Sequence, residues 1–166
     1  MVAVLVYLAL GLDLTISSII QVVARPAYWE PVTSVDYVAV WTWSLGFLLL
    51  AVAVPFLVRD AVAGRAALVA AGVVSVATIA TAIANAVEDG IGIESWGSVY
   101  VVGSLTTLGS MLVVAALLGR AGRSRHTGVV LLWLAGMAMN TWGLGILTLV
   151  GSLVAIDARR RTTAVD

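Results

Sequence analysis

The chain has 166 residues, of which 61% are hydrophobic and only 11% are charged, whereas a soluble domain carries about 25% charged residues. So little polar surface cannot cover a water-soluble globule. The net charge is zero, which gives no reason to expect nucleic acid as a partner, and the absence of cysteine excludes disulfides, thiolate metal sites and a cysteine nucleophile. The composition predicts an integral membrane protein. All nine basic residues are arginine, a bias that favours a bacterial cytoplasmic (inner) membrane.

Several apolar stretches are long enough to cross a hydrocarbon core of about 30 Å at about 1.5 Å per residue. A cleaved signal peptide is the competing interpretation of the first stretch, but that stretch lacks a basic start and is interrupted by polar residues. The missing basic start also leaves open a true start upstream of Met1. The sequence predicts an all-α integral membrane protein, a single bundle of about five transmembrane helices joined by short loops. The helices cover 1–24, 37–58, 66–87, 98–118 and 129–156, and a short basic tail covers 157–166.

Proline and aromatic residues mark the connections and the ends of the spans. The connection 25–36 contains two prolines and the pair Tyr28 and Trp29, and is predicted to be a loop. Within the second span, Pro55 has no N–H, so the carbonyl of Ala51 loses its helical partner and we expect a bend. Aromatic residues open the second and fourth spans, as is typical at the depth of the lipid headgroups. They are Tyr37, Trp41, Trp43, Trp96 and Tyr100.

The arginines predict the orientation of the bundle. Two follow the second span and three follow the fourth, whereas the remaining connections hold only Arg25 together with five acidic residues. By the positive-inside rule, the N-terminus is cytoplasmic and the acidic loops face outwards. Five spans would, however, export the tail that contains Arg159, Arg160 and Arg161.

Two arrangements of the last apolar stretch address this conflict. In one, 129–156 is a single tilted helix of about 40 Å, and the tail is exported. In the other, residues 140–143 break the stretch into a re-entrant hairpin, which lipid tolerates only if protein covers the turn. The stretch has no proline and no central charge, and we therefore expect the single helix.

A polar stripe runs along the third span. At about 100° per residue, its polar residues fall within an arc of about 140°, and the rest of the helix is apolar. In a bilayer such a stripe must face other helices. The stripe consists of Ser75, Thr78, Thr81, Asn85, Glu88 and Asp89.

Asp13 is the second intramembrane polar feature, because it lies near the centre of the first span with Ser17 and Gln21 on the same side. A carboxyl at this depth costs about 2.5 kcal/mol or more to insert. No basic residue lies within any span, so we expect Asp13 to be neutral and hydrogen-bonded to groups at its own depth. It would act either as a proton or cation carrier or as a neutral tie between the first, third and fourth spans. The candidate intramembrane polar site is Asp13, Ser17, Ser75, Thr78, Asn85, Thr107 and Asn140.

A candidate outer acidic cluster, Glu88, Asp89 and Glu94, lies where the stripe ends. Three carboxylates at the mouth of a polar stripe would attract cations at the outer face. The alternative is a solvated loop that only terminates the third span.

The sequence does not indicate an enzyme. The only histidine, His126, lies in a predicted loop, so haem ligation and histidine zinc sites are unsupported. No phosphate-binding loop or nucleophile motif is present, and we predict no cofactor, metal site or catalytic residue. The leading hypothesis is a non-enzymatic structural, regulatory or partner-subunit protein that contacts the lipid bilayer and a membrane partner. The alternative is a small homo-oligomeric transporter or channel, coupled to protons or cations, that uses Asp13 and the stripe.

Overall fold

The computed structural model describes residues 1–26 and 31–163, with side chains up to Arg161. These residues are helical almost throughout and contain no strand, which confirms the predicted all-α class. The predictions that rest on Tyr28, Trp29 and Glu30 lie outside the described residues. The helices are α1 (Val2–Ala24), α2 (Ser34–Asp60), α3 (Arg65–Asn85), α4 (Gly97–Arg120), α5 (Ser124–Ala138) and α6 (Ile146–Thr163).

Four helical segments are long and apolar enough to cross a membrane. They correspond to the first four predicted spans. The first segment begins one residue later than predicted, and the other three extend a few residues beyond the predicted bounds. The third also includes a turn of π-helix, Ala86–Gly90, so Glu88 and Asp89 are helical and not part of a loop. The four segments are Val2–Ala24, Ser34–Asp60, Arg65–Gly90 and Glu94–Arg120.

The helices form a closed ring in chain order. Each helix packs against the next one along the chain, and α6 packs against α1. α2 also touches α5 and α6 across the bundle. Large side chains fill the centre, including the fully buried Tyr7, Leu50, Met111 and Trp133. Large apolar side chains also cover the outside of the bundle, as expected for a surface that faces lipid.

The prediction of one continuous helix over 129–156 is wrong. α5 ends at Ala138, a single 3-10 turn covers Asn140–Trp142, and α6 begins at Ile146. Gly143 has φ +83°, a left-handed conformation that glycine adopts without strain. The break therefore lies where the alternative hairpin placed it.

The polar backbone of this break is covered by α1. The Ser18 hydroxyl donates to the carbonyl of Asn140 at 2.8 Å and accepts the N–H of Gly145 at 3.1 Å. Gly145 packs so closely that a Cβ there would overlap the carbonyl oxygen of Leu14. Ser18 thus gives a partner to two backbone groups of the break, which is what a helix break within an apolar run requires where water is absent. The sequence pattern did not show it because Ser18 lies far from the break along the chain.

The hairpin returns α6 to the end of the bundle where α5 starts. Arg159 on α6 forms a salt bridge with Asp60 at the end of α2, and Arg125 on α5 approaches Asp157 on α6 at 3.5 Å. The predicted tail is thus the last part of α6 up to Thr163, and His126 lies in the first turn of α5. The arginine-rich end of the bundle holds Arg59, Arg65, Arg120, Arg123, Arg125, Arg159, Arg160 and Arg161.

Four of the seven acidic residues in the described ranges lie at the opposite end of the bundle. The Thr33 N–H donates to Oδ2 of Asp36 at 2.7 Å, and the N–H of Asp36 donates to the Thr33 hydroxyl at 3.3 Å, a capping box that starts α2. The basic residue at this end is Arg25, which follows α1. This acidic end holds Asp36, Glu88, Asp89 and Glu94.

Candidate functional site

The first residue of the polar stripe, Ser75, binds α2. The Ser75 hydroxyl donates to the carbonyl of Ala51 at 2.6 Å. That carbonyl is the one whose helical partner is missing, because Pro55 has no N–H to offer. Ser75 therefore replaces the hydrogen bond that proline removes, and it does not contribute to a site around Asp13.

The outer part of the stripe holds α3 to both of its neighbours. The Asn85 amide donates to the carbonyl of Val40 at 3.2 Å and to the Ser44 hydroxyl at 2.9 Å, both on α2. On the other side, the Thr81 hydroxyl lies against Gly103 of α4, where a Cβ would overlap it. The hydroxyl of the buried Thr78 donates to backbone carbonyls of α3 itself. The stripe faces inward as predicted, and the hydrogen bonds of Ser75 and Asn85 join α3 to α2.

Ser17 and Asn140 are two site residues from different helical elements that contact each other directly. The Asn140 amide donates to the Ser17 hydroxyl at 3.1 Å, beside the bonds from Ser18 described above. Oδ1 of Asn140 is buried and has no partner among the side chains and backbone of the described chain. This pair belongs to the seam between α1 and the α5–α6 hairpin.

Asp13 lies at the seam between α1 and α2. Its side chain is half-buried, and its Oδ2 packs so close to Gly46 of α2 that a Cβ there would lie 3.0 Å from it. Oδ2 is buried and has no hydrogen-bond partner within residues 1–26 and 31–163. The predicted contact between the first and third spans is wrong, because α1 packs against α2 and α6 and forms no packed pair with α3. The predicted packing of the third span against the fourth is present.

Thr107 is separate from Asp13. It lines a cavity of about 160 Å³ between α2, α4 and α5, together with Trp43, Phe47 and Tyr100. The indole N–H of Trp43 donates to the Tyr100 hydroxyl at 3.1 Å, so the aromatic residues that open the second and fourth spans lie at the same end, as predicted. The hydroxyl of Thr107 itself has no partner in the described part of the chain.

A cluster at the arginine-rich end was missed by the sequence analysis. The hydroxyl of the fully buried Tyr7 donates to Oδ2 of Asp60 at 3.0 Å, and Arg159 donates to Oδ1 of the same carboxylate. Arg159 and Asp60 are 99 positions apart, and no periodicity or motif links them. The cluster joins α1, α2 and α6 and satisfies the charge of Asp60 within the chain.

The outer acidic cluster surrounds a cavity of about 310 Å³ at the acidic end. Asp89 is only 8% exposed, and its Oδ1 has no hydrogen-bond partner in the described ranges. Glu88 points at the start of α4, where a Cβ on Gly97 would overlap its Oε1. Among residues 1–26 and 31–163, no group of three acidic or histidine side chains is arranged to hold a metal ion.

Asp13 and Asp89 differ from the other site residues in having a buried carboxyl oxygen that nothing in the described chain binds. A buried polar atom without a partner costs about 1–3 kcal/mol. Oδ1 of Asn140 and the Thr107 hydroxyl also lack a partner in the described chain, but at Asp13 and Asp89 the group concerned is a carboxyl. No protein-family model, curated protein or solved structure matches this sequence.

Proposed function

We propose that this chain is a non-enzymatic integral membrane protein that works as a subunit of a membrane assembly, with Asp13 as the polar contact of the interface. The single observation that carries this proposal is the carboxyl of Asp13, half-buried at the seam of α1 and α2 with Oδ2 unbound. Exposed apolar side chains surround the position along both helices, among them Leu12, Ile16 and Leu45.

The energetic argument favours a donor from another polypeptide. A hydrogen bond between helices in lipid contributes about 0.6–1.7 kcal/mol, and a carboxyl near the bilayer centre otherwise costs about 2.5 kcal/mol or more. Two of the groups expected to bind Asp13 have other partners, since Ser75 binds Ala51 and Asn140 binds Ser17. A third, Thr107, lines a separate cavity between α2, α4 and α5. A helix of another subunit that supplies a hydroxyl, amide or imidazole donor would satisfy the carboxyl.

The distribution of arginine supports an orientation for this subunit. All arginines except Arg25 lie at the end of the bundle where α1 begins and α6 ends. By the positive-inside rule, that end lies in the cytoplasm, and the α5–α6 hairpin enters the membrane from the same side. With this orientation, the arginine-rich end of α6 lies in the cytoplasm, whereas five spans would have placed it outside. The all-arginine composition favours a bacterial cytoplasmic membrane.

The geometry favours a subunit over a transporter or channel that uses Asp13 and the stripe. α2 lies between Asp13 and the stripe, with Gly46 facing Asp13 and the Ala51 carbonyl facing Ser75. The four uncharged members of the stripe, from Ser75 to Asn85, donate hydrogen bonds to neighbouring backbone or side chains. Large side chains fill the centre of the ring.

Photo-crosslinking in native membranes tests the proposal. We would place p-benzoylphenylalanine at position 16, beside Asp13, and separately at position 105, an exposed site on α4 at the same number of residues from the acidic end. We expect an adduct from position 16 and none from position 105. The mass of the adduct identifies the partner, and a product of twice 17.2 kDa means a second copy.

Variants of Asp13 show whether the carboxyl makes the contact. Asp13→Leu should abolish the adduct from position 16, whereas Asp13→Asn, which keeps a hydrogen-bonding group, should retain most of it. Both variants should remain folded, because nothing in the described chain binds Oδ2. An adduct that persists in Asp13→Leu, or no protein adduct from position 16 at all, would show that this surface faces only lipid.

A further inference from the structure

We propose that the acidic end of the protein binds a small organic cation, an ammonium or guanidinium ion, in the cavity of about 310 Å³ beside Asp89. The cavity lies between the segment that leads into α2 and the turn that joins α3 to α4. It is lined by Val32, Tyr37, Glu88, Asp89, Gly92 and Glu94, with Pro31 and Ile91 beside them.

The backbone holds Asp89 in a defined position. The π-helical turn Ala86–Gly90 continues α3, and beyond it the N–H groups of Gly92 and Ile93 bind the carbonyls of Glu88 and Val87 at 3.0 and 3.1 Å. Gly92 has φ +85°, which glycine alone adopts readily. This closed turn buries the side chain of Asp89 to 8% exposure in the wall of the cavity.

Asp89 differs from its acidic neighbours because the described chain does not compensate it. Glu88 lies at the start of α4, where the helix dipole favours a negative charge. Asp36 belongs to the capping box of α2. Arg25, the basic residue of this end, is exposed and forms no ion pair with these carboxylates in the described chain. Asp89 therefore lines a cavity that a cation can enter, and one oxygen of its buried carboxylate has no hydrogen-bond partner in the described chain.

The lining points to an organic cation and not to a metal ion. Ca²⁺ takes about 6–8 oxygen ligands, and no group of three acidic or histidine side chains is arranged to hold a metal in the ranges described. The cavity has the volume of a small-molecule site, for which about 300 Å³ is the lower limit. Tyr37 supplies an aromatic ring, which attracts ammonium and guanidinium ions. Apolar atoms of Val32 and Ile91 would contact the carbon atoms of such a ligand.

Calorimetric titration of the full chain in phosphatidylcholine nanodiscs tests this proposal. The probes are 1,4-diaminobutane and guanidinium, each added at constant ionic strength, with Mg²⁺ as the comparison cation. We expect saturable binding of at least one organic probe with one site per chain. The absence of saturable binding by both organic probes, or tighter binding of Mg²⁺, would overturn the proposal.

Matched variants distinguish the cavity from general attraction to acidic residues. Asp89→Asn should weaken binding about tenfold or more, because it removes a charge-assisted contact. Asp157→Asn removes the same charge from an exposed site at the arginine-rich end and should leave the affinity unchanged. Equal losses in both variants would mean non-specific attraction. If Asp89→Asn does not fold, Glu94→Gln is the variant to use, because Glu94 is exposed and its substitution should not affect folding. Unchanged affinity in Glu94→Gln would also overturn the proposal.

Discussion

The two ends of the bundle each enclose a carboxylate, but only one end supplies hydrogen-bond donors for it. At the arginine-rich end, Asp60 of α2 accepts a hydrogen bond from Tyr7 of α1 and forms a salt bridge with Arg159 of α6. At the acidic end, Asp89 is more deeply buried, but its Oδ1 has no hydrogen-bond partner in the described chain. The first arrangement pairs its charge within the chain, and the second leaves a carboxyl oxygen for which we propose an external cation.

The largest expected effect is in the labelling test of whether all arginine-rich segments lie on one side of the membrane. In intact cells or oriented vesicles, single cysteines at positions 66 and 163 should react with a membrane-impermeant thiol reagent from the same side, and a cysteine at position 91 from the other side. The chain has no cysteine of its own, so the background is low. If position 163 were labelled together with position 91, α5 and α6 would form one span and the tail would lie at the acidic end.

Loss of the Asp60 cluster should be the most destabilising single change. Asp60→Leu removes the carboxylate that the buried Tyr7 hydroxyl and the partly buried Arg159 both bind. We expect the free energy of unfolding to fall by about 2 kcal/mol, because the buried hydroxyl loses its acceptor and the arginine loses an ion pair. Unfolding in mixed micelles by a denaturing detergent measures this.

A double variant tests whether the loss comes from the unpaired arginine. Adding Arg159→Met to Asp60→Leu should recover part of the stability, because the positive charge is then removed together with the carboxylate that it bound. The exposed Asp157→Asn, tested in parallel, should change stability by less than about 0.5 kcal/mol. A double variant no more stable than Asp60→Leu would argue that the loss in Asp60→Leu does not come from the charge of Arg159.

Between the two ends, the contact of α3 with α2 depends on the hydrogen bond from Ser75 to the Ala51 carbonyl, which Pro55 leaves without its helical partner. Ser75→Ala should lower the free energy of unfolding by about 1 kcal/mol, because the Ala51 carbonyl is left without a partner. Ser110→Ala removes a hydroxyl that binds only the backbone of its own helix, α4, and should have little effect. In a Pro55→Ala background, which restores the missing N–H, Ser75→Ala should cost clearly less. Equal costs in both backgrounds would exclude the compensation.

The smallest expected change in stability is at Asp89, which makes this residue the direct contrast to Asp60. Asp89→Asn should leave the free energy of unfolding within about 0.5 kcal/mol of the original or increase it, since the charge is buried without a partner. The measurement is the same detergent unfolding, carried out without added organic cations. A loss similar to that of Asp60→Leu would mean that Asp89 has a structural partner and that the contrast between the ends fails.

Several features of the fold were predictable because they depend on local composition. The first four spans follow from apolar length, and the inward direction of the stripe follows from the 100° periodicity of α3. The free carbonyl of Ala51 follows from Pro55 alone. Its partner, Ser75, was assigned to Asp13 instead, because depth along a helix does not tell which neighbouring helix a residue faces.

The sequence by itself determined that this chain is helical and apolar, because a chain with few charges and long hydrophobic runs must satisfy its backbone within helices when it lies in lipid. Only the tertiary structure decided the break at 139–145, the position of α2 between Asp13 and the stripe, and the pairing of Asp60 with Arg159. Each of these depends on groups far apart in the chain that meet at short range. Composition and periodicity report the environment of a helix face, whereas hydrogen bonds and ion pairs depend on which faces meet.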